Sequence, residues 1–104
     1  MIPQKTIEEL INKHSILEKD LSSGKIDKKL FAEKSKEYSD LNEIIVNAKN
    51  YISFEKDKHD LEKLLEDQKT DQELKKMAEV ELNDLIKEND INEKKLKLFL
   101  LPKD

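Results

Sequence analysis

The sequence predicts an all-α protein, an elongated antiparallel bundle of three helices built on one long central helix. Three observations carry this. The segment from Asp27 to Glu66 contains neither Pro nor Gly, the two residues that most often interrupt a helix. The chain has one Gly and two Pro in 104 residues, too few for the turns of a many-stranded sheet. Hydrophobic residues make up only 36% while charged residues reach 42%, a balance that suits narrow apolar seams between solvated helices rather than a thick core.

The central helix comes first because the others must pack on it. At about 1.5 Å per residue, residues 27–66 span roughly 60 Å as one helix. Tyr38, Leu41, Ile45, Ala48 and Ile52 recur at steps of three and four and so share a face. A second line, Ile44, Tyr51, Phe54, Leu61 and Leu65, is rotated about the axis, which predicts different neighbours along the length. Asp27 is the expected N-cap, with Leu30 and Phe31 as the first apolar contacts.

The first helix is expected over 6–22. Thr6-Ile7-Glu8-Glu9 has the form of a capping box. Ile7, Leu10, Ile11, His14, Leu17 and Leu21 mark one face, and Ser22-Ser23-Gly24 ends the helix with Gly24 as a left-handed cap. The third helix is expected over 71–100, started by a second box, Thr70-Asp71-Gln72-Glu73, and stopped by Pro102. Leu74, Met77, Ala78, Leu82, Leu85 and Ile86 supply its face, followed by a polar interval at 88–95 and a return of apolar residues at Leu96, Phe99 and Leu100. These lengths predict a first helix docked on the proximal half of the central one. A two-helix coiled hairpin is left at the distal end, toward 66–71.

Function classes narrow by composition. No cysteine is present, so disulfides and thiolate metal sites are excluded. No apolar run approaches the length that spans a bilayer, and the start lacks the apolar core of a signal peptide, so the cytoplasm is the expected location and no membrane partner is implied. All 20 basic residues are Lys and the net charge is −4. A nucleic-acid reader normally carries a basic stripe with Arg, so direct nucleic-acid binding by this chain alone is not expected.

No nucleophile stands beside a base in a recognisable motif, and a single Gly cannot build a phosphate loop. His14 lies on an apolar face without a second ligand and reads as a packed side chain. Glu55, His59 and Glu62 share a face, but neither Glu stands three residues before a His as a di-iron bundle requires, so a solvated charged face is the reading. Tyr51 and Phe54 are candidate partner anchors, with packing in the seam as the simpler role. No catalytic residue, metal or cofactor is implied.

Three stretches resemble a known family. The run Phe31-Ala32-Glu33-Lys34-Ser35-Lys36-Glu37-Tyr38-Ser39-Asp40-Leu41 is similar to the second helix in the N-terminal domain of bacterial class-1 peptide-chain release factors. Residues 71–82, Asp71-Gln72-Glu73-Leu74-Lys75-Lys76-Met77-Ala78-Glu79-Val80-Glu81-Leu82, resemble their third helix. Leu98-Phe99-Leu100-Leu101-Pro102-Lys103-Asp104 resembles the Leu-Leu-Leu-Pro-Lys-Asp exit into the next domain. The exit and the third helix point to the type that reads UAA and UAG.

The resemblance implies a single helical domain, 1–104, excised from a longer factor that acts in translation termination. Codon reading and the Gly-Gly-Gln loop that directs peptidyl-tRNA hydrolysis belong to other domains, and this chain has no Gly-Gly pair. The implied role is therefore a non-enzymatic accessory arm. Its implied partners are the ribosome, near the large-subunit stalk base, and a translational GTPase. The distal turn and its flanks, Leu64, Asp67, Gln68, Lys69 and Gln72, are the expected partner contacts, roughly 45 Å from the proximal end. The alternative is a free-standing coiled-coil adaptor acting by protein–protein interaction.

Overall fold

The computed structural model describes residues 1–102; Lys103 and Asp104 of the exit motif lie outside the described residues. Among the described residues the fold is all-α, with four helices: α1 (Gln4–Ser23), α2 (Lys28–Asn42), α3 (Ile45–Glu66) and α4 (Gln72–Leu100). α1 packs against α2 and α3, and α4 runs along α3. The molecule measures 60 × 32 × 20 Å with a radius of gyration of 18.3 Å. A compact domain of this length would have roughly 13 Å.

The expected single helix over 27–66 is two helices, α2 and α3, parted at Glu43 and Ile44. Neither Pro nor Gly causes the break. Ile44, Ile45 and Val46 are three successive β-branched residues, which lose side-chain freedom against the preceding helical turn. Ile44 leaves helical geometry (φ −118°, ψ −7°) and donates its N–H to the Leu41 carbonyl at 3.0 Å. That bond spans three residues, a 3₁₀ turn in place of an α turn. The α ladder then resumes, with the Ala48 N–H on the Ile44 carbonyl at 2.9 Å. Ile44 and Ile45 are both buried, because the chain turns one neighbour inward after the other.

Helix ends also differ in detail from expectation. α1 begins at Gln4, and the Pro3 carbonyl accepts from the N–H groups of Thr6 (3.1 Å) and Ile7 (3.4 Å). Thr6 thus lies inside the first turn and forms no capping box. Pro3 is the N-cap instead (φ −58°, ψ 137°), and no side chain caps this end. At α4 the cap is Asp71, whose Oδ1 accepts from the Leu74 N–H at 2.8 Å, rather than Thr70. Gly24 has φ +71° and closes α1, and Asp27 caps α2 through the Lys29 N–H. Leu30 and Phe31 are about half exposed (46% and 50%), not the first core contacts of α2.

The core is small and lies where α1 packs on the start of α3, completed by side chains from the end of α4. Ile2, Ile7, Ile44, Ala48 and Leu96 form its buried centre, with Leu10, Ile11, Tyr51, Ile52 and Phe99 packed around it. Beyond it α3 and α4 continue alone as a hairpin.

Candidate functional site: the hairpin arm

The seam of the arm follows a coiled-coil repeat. On α4 the covered positions are Ala78, Leu82, Leu85, Asn89, Asn92, Leu96 and Phe99, alternating by four and three. Met77 (64% exposed), Ile86 (46%) and Leu74 (42%), expected on this face, point away from it. The polar interval expected at 88–95 is not a gap in the seam. Asn89 and Asn92 occupy seam positions, and Asn92 is buried (4% exposed). The facing line on α3 is Asn47, Tyr51, Phe54, Lys58, Leu61 and Leu65, all half-buried.

Asn47 Nδ2 donates to Asn92 Oδ1 at 2.9 Å, so the two polar residues meet each other across the seam. Asn89 Oδ1 is buried and has no partner among the described residues. Lys58 places its ammonium 6.0 Å from the centre of the Phe54 ring, which lets its stem cover the seam while its charge reaches solvent. Tyr51 is likewise a packing residue whose hydroxyl accepts the Ile2 N–H at 3.1 Å.

At the proximal end, His14 is buried, stacked on Tyr38 (centroids 4.8 Å apart, 21° between planes) and within 2.6 Å of Asn42 Oδ1 through Nε2. It joins α1 to the end of α2. Lys13 pairs with Glu37, and Lys34 with Asp20 at 2.9 Å, along the same helix pair. Glu93 on α4 lies 3.0 Å from the Met1 ammonium and 3.3 Å from Lys97. Hydrogen bonding to the ammonium, then to Lys97, holds its carboxyl below the ordinary carboxylate range.

The five expected contact residues gather at the distal end. Leu64 is 37% exposed, and Asp67, Gln68, Lys69 and Gln72 are exposed. Asp67 is committed to the turn itself: its Oδ1 accepts the Lys69 N–H at 2.9 Å and its carbonyl accepts the Thr70 N–H at 3.2 Å. Glu55, His59 and Glu62 are exposed on α3, and among the described residues no group of three His, Asp or Glu is arranged to hold a metal. No helix is long and apolar enough to cross a membrane among the described residues.

A small helical base extended by a two-helix arm with a solvated tip defines a helical arm domain. The chain belongs to the PCRF domain family, which matches it over residues 10–104. It is 71% identical, over all 104 of its residues, to peptide chain release factor 1 of Pelagibacter ubique (strain HTCC1062). It is 38% identical over 98 residues, 94% of its length, to peptide chain release factor 1 of Orientia tsutsugamushi (strain Boryong). With the protein of that name from Ehrlichia ruminantium (strain Gardel) it shares 46% over 74 residues, 71% of the chain. The chain spans 29%, 27% and 21% of the lengths of these three relatives. No solved structure matches it.

Proposed function

We infer that this domain serves translation termination as the accessory helical arm of a cytoplasmic peptide-chain release factor, and that its distal turn meets the ribosome. The observation that carries the reading is the 71% identity to a release factor maintained along the whole chain. The arm itself performs no hydrolysis in this reading. Its sequence holds no Gly-Gly-Gln. The expected contact is the stalk base of the large subunit, or a translational GTPase acting there, through Leu64, Gln68, Lys69 and Gln72, with Asp67 shaping the turn. A solvated tip on an arm of this length adds little to the stability of its own base and is free to reach a separate surface.

The test has two parts. The 104-residue chain alone should release no peptide from ribosomes stalled at a stop codon. In a release factor carrying this domain, Gln68→Ala, Lys69→Glu and Gln72→Ala together should weaken ribosome binding or recycling while leaving folding within about 0.5 kcal/mol for each surface change. Asp67 is kept, because its carboxylate closes the turn. Wild-type binding and recycling in that variant would remove the tip as the contact.

A further inference from the structure

The net negative charge of the chain is concentrated in the distal arm. Residues 55–88 hold twelve carboxylates against seven lysines, a balance of −5, while the whole chain carries −4. Part of this charge lines a groove of about 350 Å³ between α3 and α4. Its walls are Asp57, Asp60, Glu81, Asp84 and Glu88, and its floor is Leu61 and Leu85. None of these five carboxylates is in an ion pair among the described residues, although lysines elsewhere pair with Asp20, Glu37, Asp90 and Glu93. Glu81 and Asp84 also border a second hollow, formed with Lys76, Met77 and Val80 on the outer face of α4, where Lys76 is the one cation of the lining. Met77 is 64% exposed and Val80 61%. The two hollows make one strip, apolar at Met77 and Val80 and acidic through Glu81, Asp84 and Glu88. Its length on α4, residues 77–88, is about 16 Å.

We propose that this strip is a docking surface for a short, basic, amphipathic helix of a partner protein. Apolar side chains of the partner cover Met77 and Val80, and its Lys or Arg side chains enter the groove between Asp57, Asp60, Glu81, Asp84 and Glu88. The strip matches about three turns of a helix. Charge complementarity selects the occupant: phosphate backbones are repelled by these carboxylates, and a second copy related by two-fold symmetry would set carboxylates against carboxylates. The leucine floor strengthens the attraction, because field lines from the walls pass through low-dielectric side chains. The surface is distinct from the distal turn, so the inference stands or falls separately from the role of Gln68, Lys69 and Gln72.

The experiment is an amide chemical-shift titration of the 104-residue chain with a synthetic fourteen-residue Leu/Lys amphipathic helix. A peptide of the same composition in scrambled order and a short RNA duplex serve as comparators. Shifts should be confined to residues 57–61 and 77–88, and the scrambled peptide should bind about tenfold more weakly. Glu81→Gln with Asp84→Gln, and separately Met77→Ser with Val80→Ser, should each weaken binding about tenfold, the first pair also flattening the salt dependence. These positions lie on the surface, so unchanged circular dichroism is expected of both variants. Gln68→Ala with Lys69→Glu should leave the titration unchanged. Equal binding of ordered and scrambled peptides would overturn the proposal, as would shifts centred elsewhere, preferential RNA binding, or a dimer in sedimentation that the Met77/Val80 variant dissolves.

Discussion

The Asn47–Asn92 hydrogen bond is the part of the arm whose energetics are most open to test. Asn92 is buried, and its Oδ1 has the Asn47 amide as donor at 2.9 Å. Replacing Asn47 with Ala leaves that oxygen in the seam without its partner. A neutral hydrogen bond contributes about 0.5–1.5 kcal/mol, whereas orphaning a buried polar group costs about 1–3 kcal/mol. Since Asn47 itself is half-buried and water can approach from its side, about 1.5 kcal/mol is the expected loss for Asn47→Ala. That is roughly 6–12 °C in Tm for a domain of this size. Changing both residues to Leu removes donor and acceptor together and should cost under about 0.5 kcal/mol or stabilise the hairpin. The double variant should then be more stable than Asn47→Ala. It should lose uniqueness of register, because a one-heptad slip of α4 sets Asn47 against Leu85 or Phe99, and only the wild-type pairing joins Asn to Asn. Urea unfolding followed by helical circular dichroism measures the first effect, and amide line broadening the second. The reasoning fails if Asn47→Ala costs less than about 0.5 kcal/mol, or if the Leu pair costs as much as the sum of the two single Leu variants.

Other expectations follow from the base. His14→Ala removes the contact with Asn42 and the stack on Tyr38, and should destabilise the domain by about 2 kcal/mol in urea unfolding, with His14→Phe recovering part of this through the stack. Gly24→Ala forces a side chain into φ +71° with no steric neighbour to meet, so only backbone strain remains and about 1 kcal/mol should be lost in thermal unfolding. Glu93 has a depressed folded-state pKa, so its ion pairs contribute in full above the carboxyl's unfolded value. Their contribution disappears as pH falls through the lower folded value, and a pH series of unfolding curves should show Glu93→Gln with a shallower acid decline than wild type.

How much of this was legible in the sequence depended on what each signal measured. Apolar periodicity located α1, the hairpin and the rotation of the stripe between Tyr38 and Tyr51, because burial selects side-chain spacing directly. The rotation was a sign of new neighbours, and the structure meets it by breaking the helix at Ile44. The break was hidden because the usual interrupters are absent. The only local mark was the run Ile44-Ile45-Val46, whose weak helix preference tertiary packing can override in either direction. Counting Thr-x-x-Glu as a cap failed at both places, since Pro3 and Asp71, each also a good helix starter, stand close by. Family membership is legible in the ordered set of Phe31–Leu41, Asp71–Leu82 and Leu98–Asp104.

The arm's polar features do not show in local periodicity, for a physical reason. A hydrophobic count treats Asn89 and Asn92 as a gap, although the three–four spacing from Ala78 to Phe99 runs through both without a missed step. Their burial depends on a partner forty-five residues away in the chain, Asn47, and no local window contains both. The acidic groove is hidden in the same way. Along the chain its carboxylates alternate with lysines and look like an ordinary solvated surface. Only antiparallel pairing brings Asp57 and Asp60 of α3 beside Glu81, Asp84 and Glu88 of α4, above Leu61 and Leu85. An amphipathic pattern reveals which side of a helix meets its own neighbour. What the pair then presents to other molecules is set by register, to which the Asn47–Asn92 hydrogen bond contributes together with the short turn closed by Asp67 and Asp71.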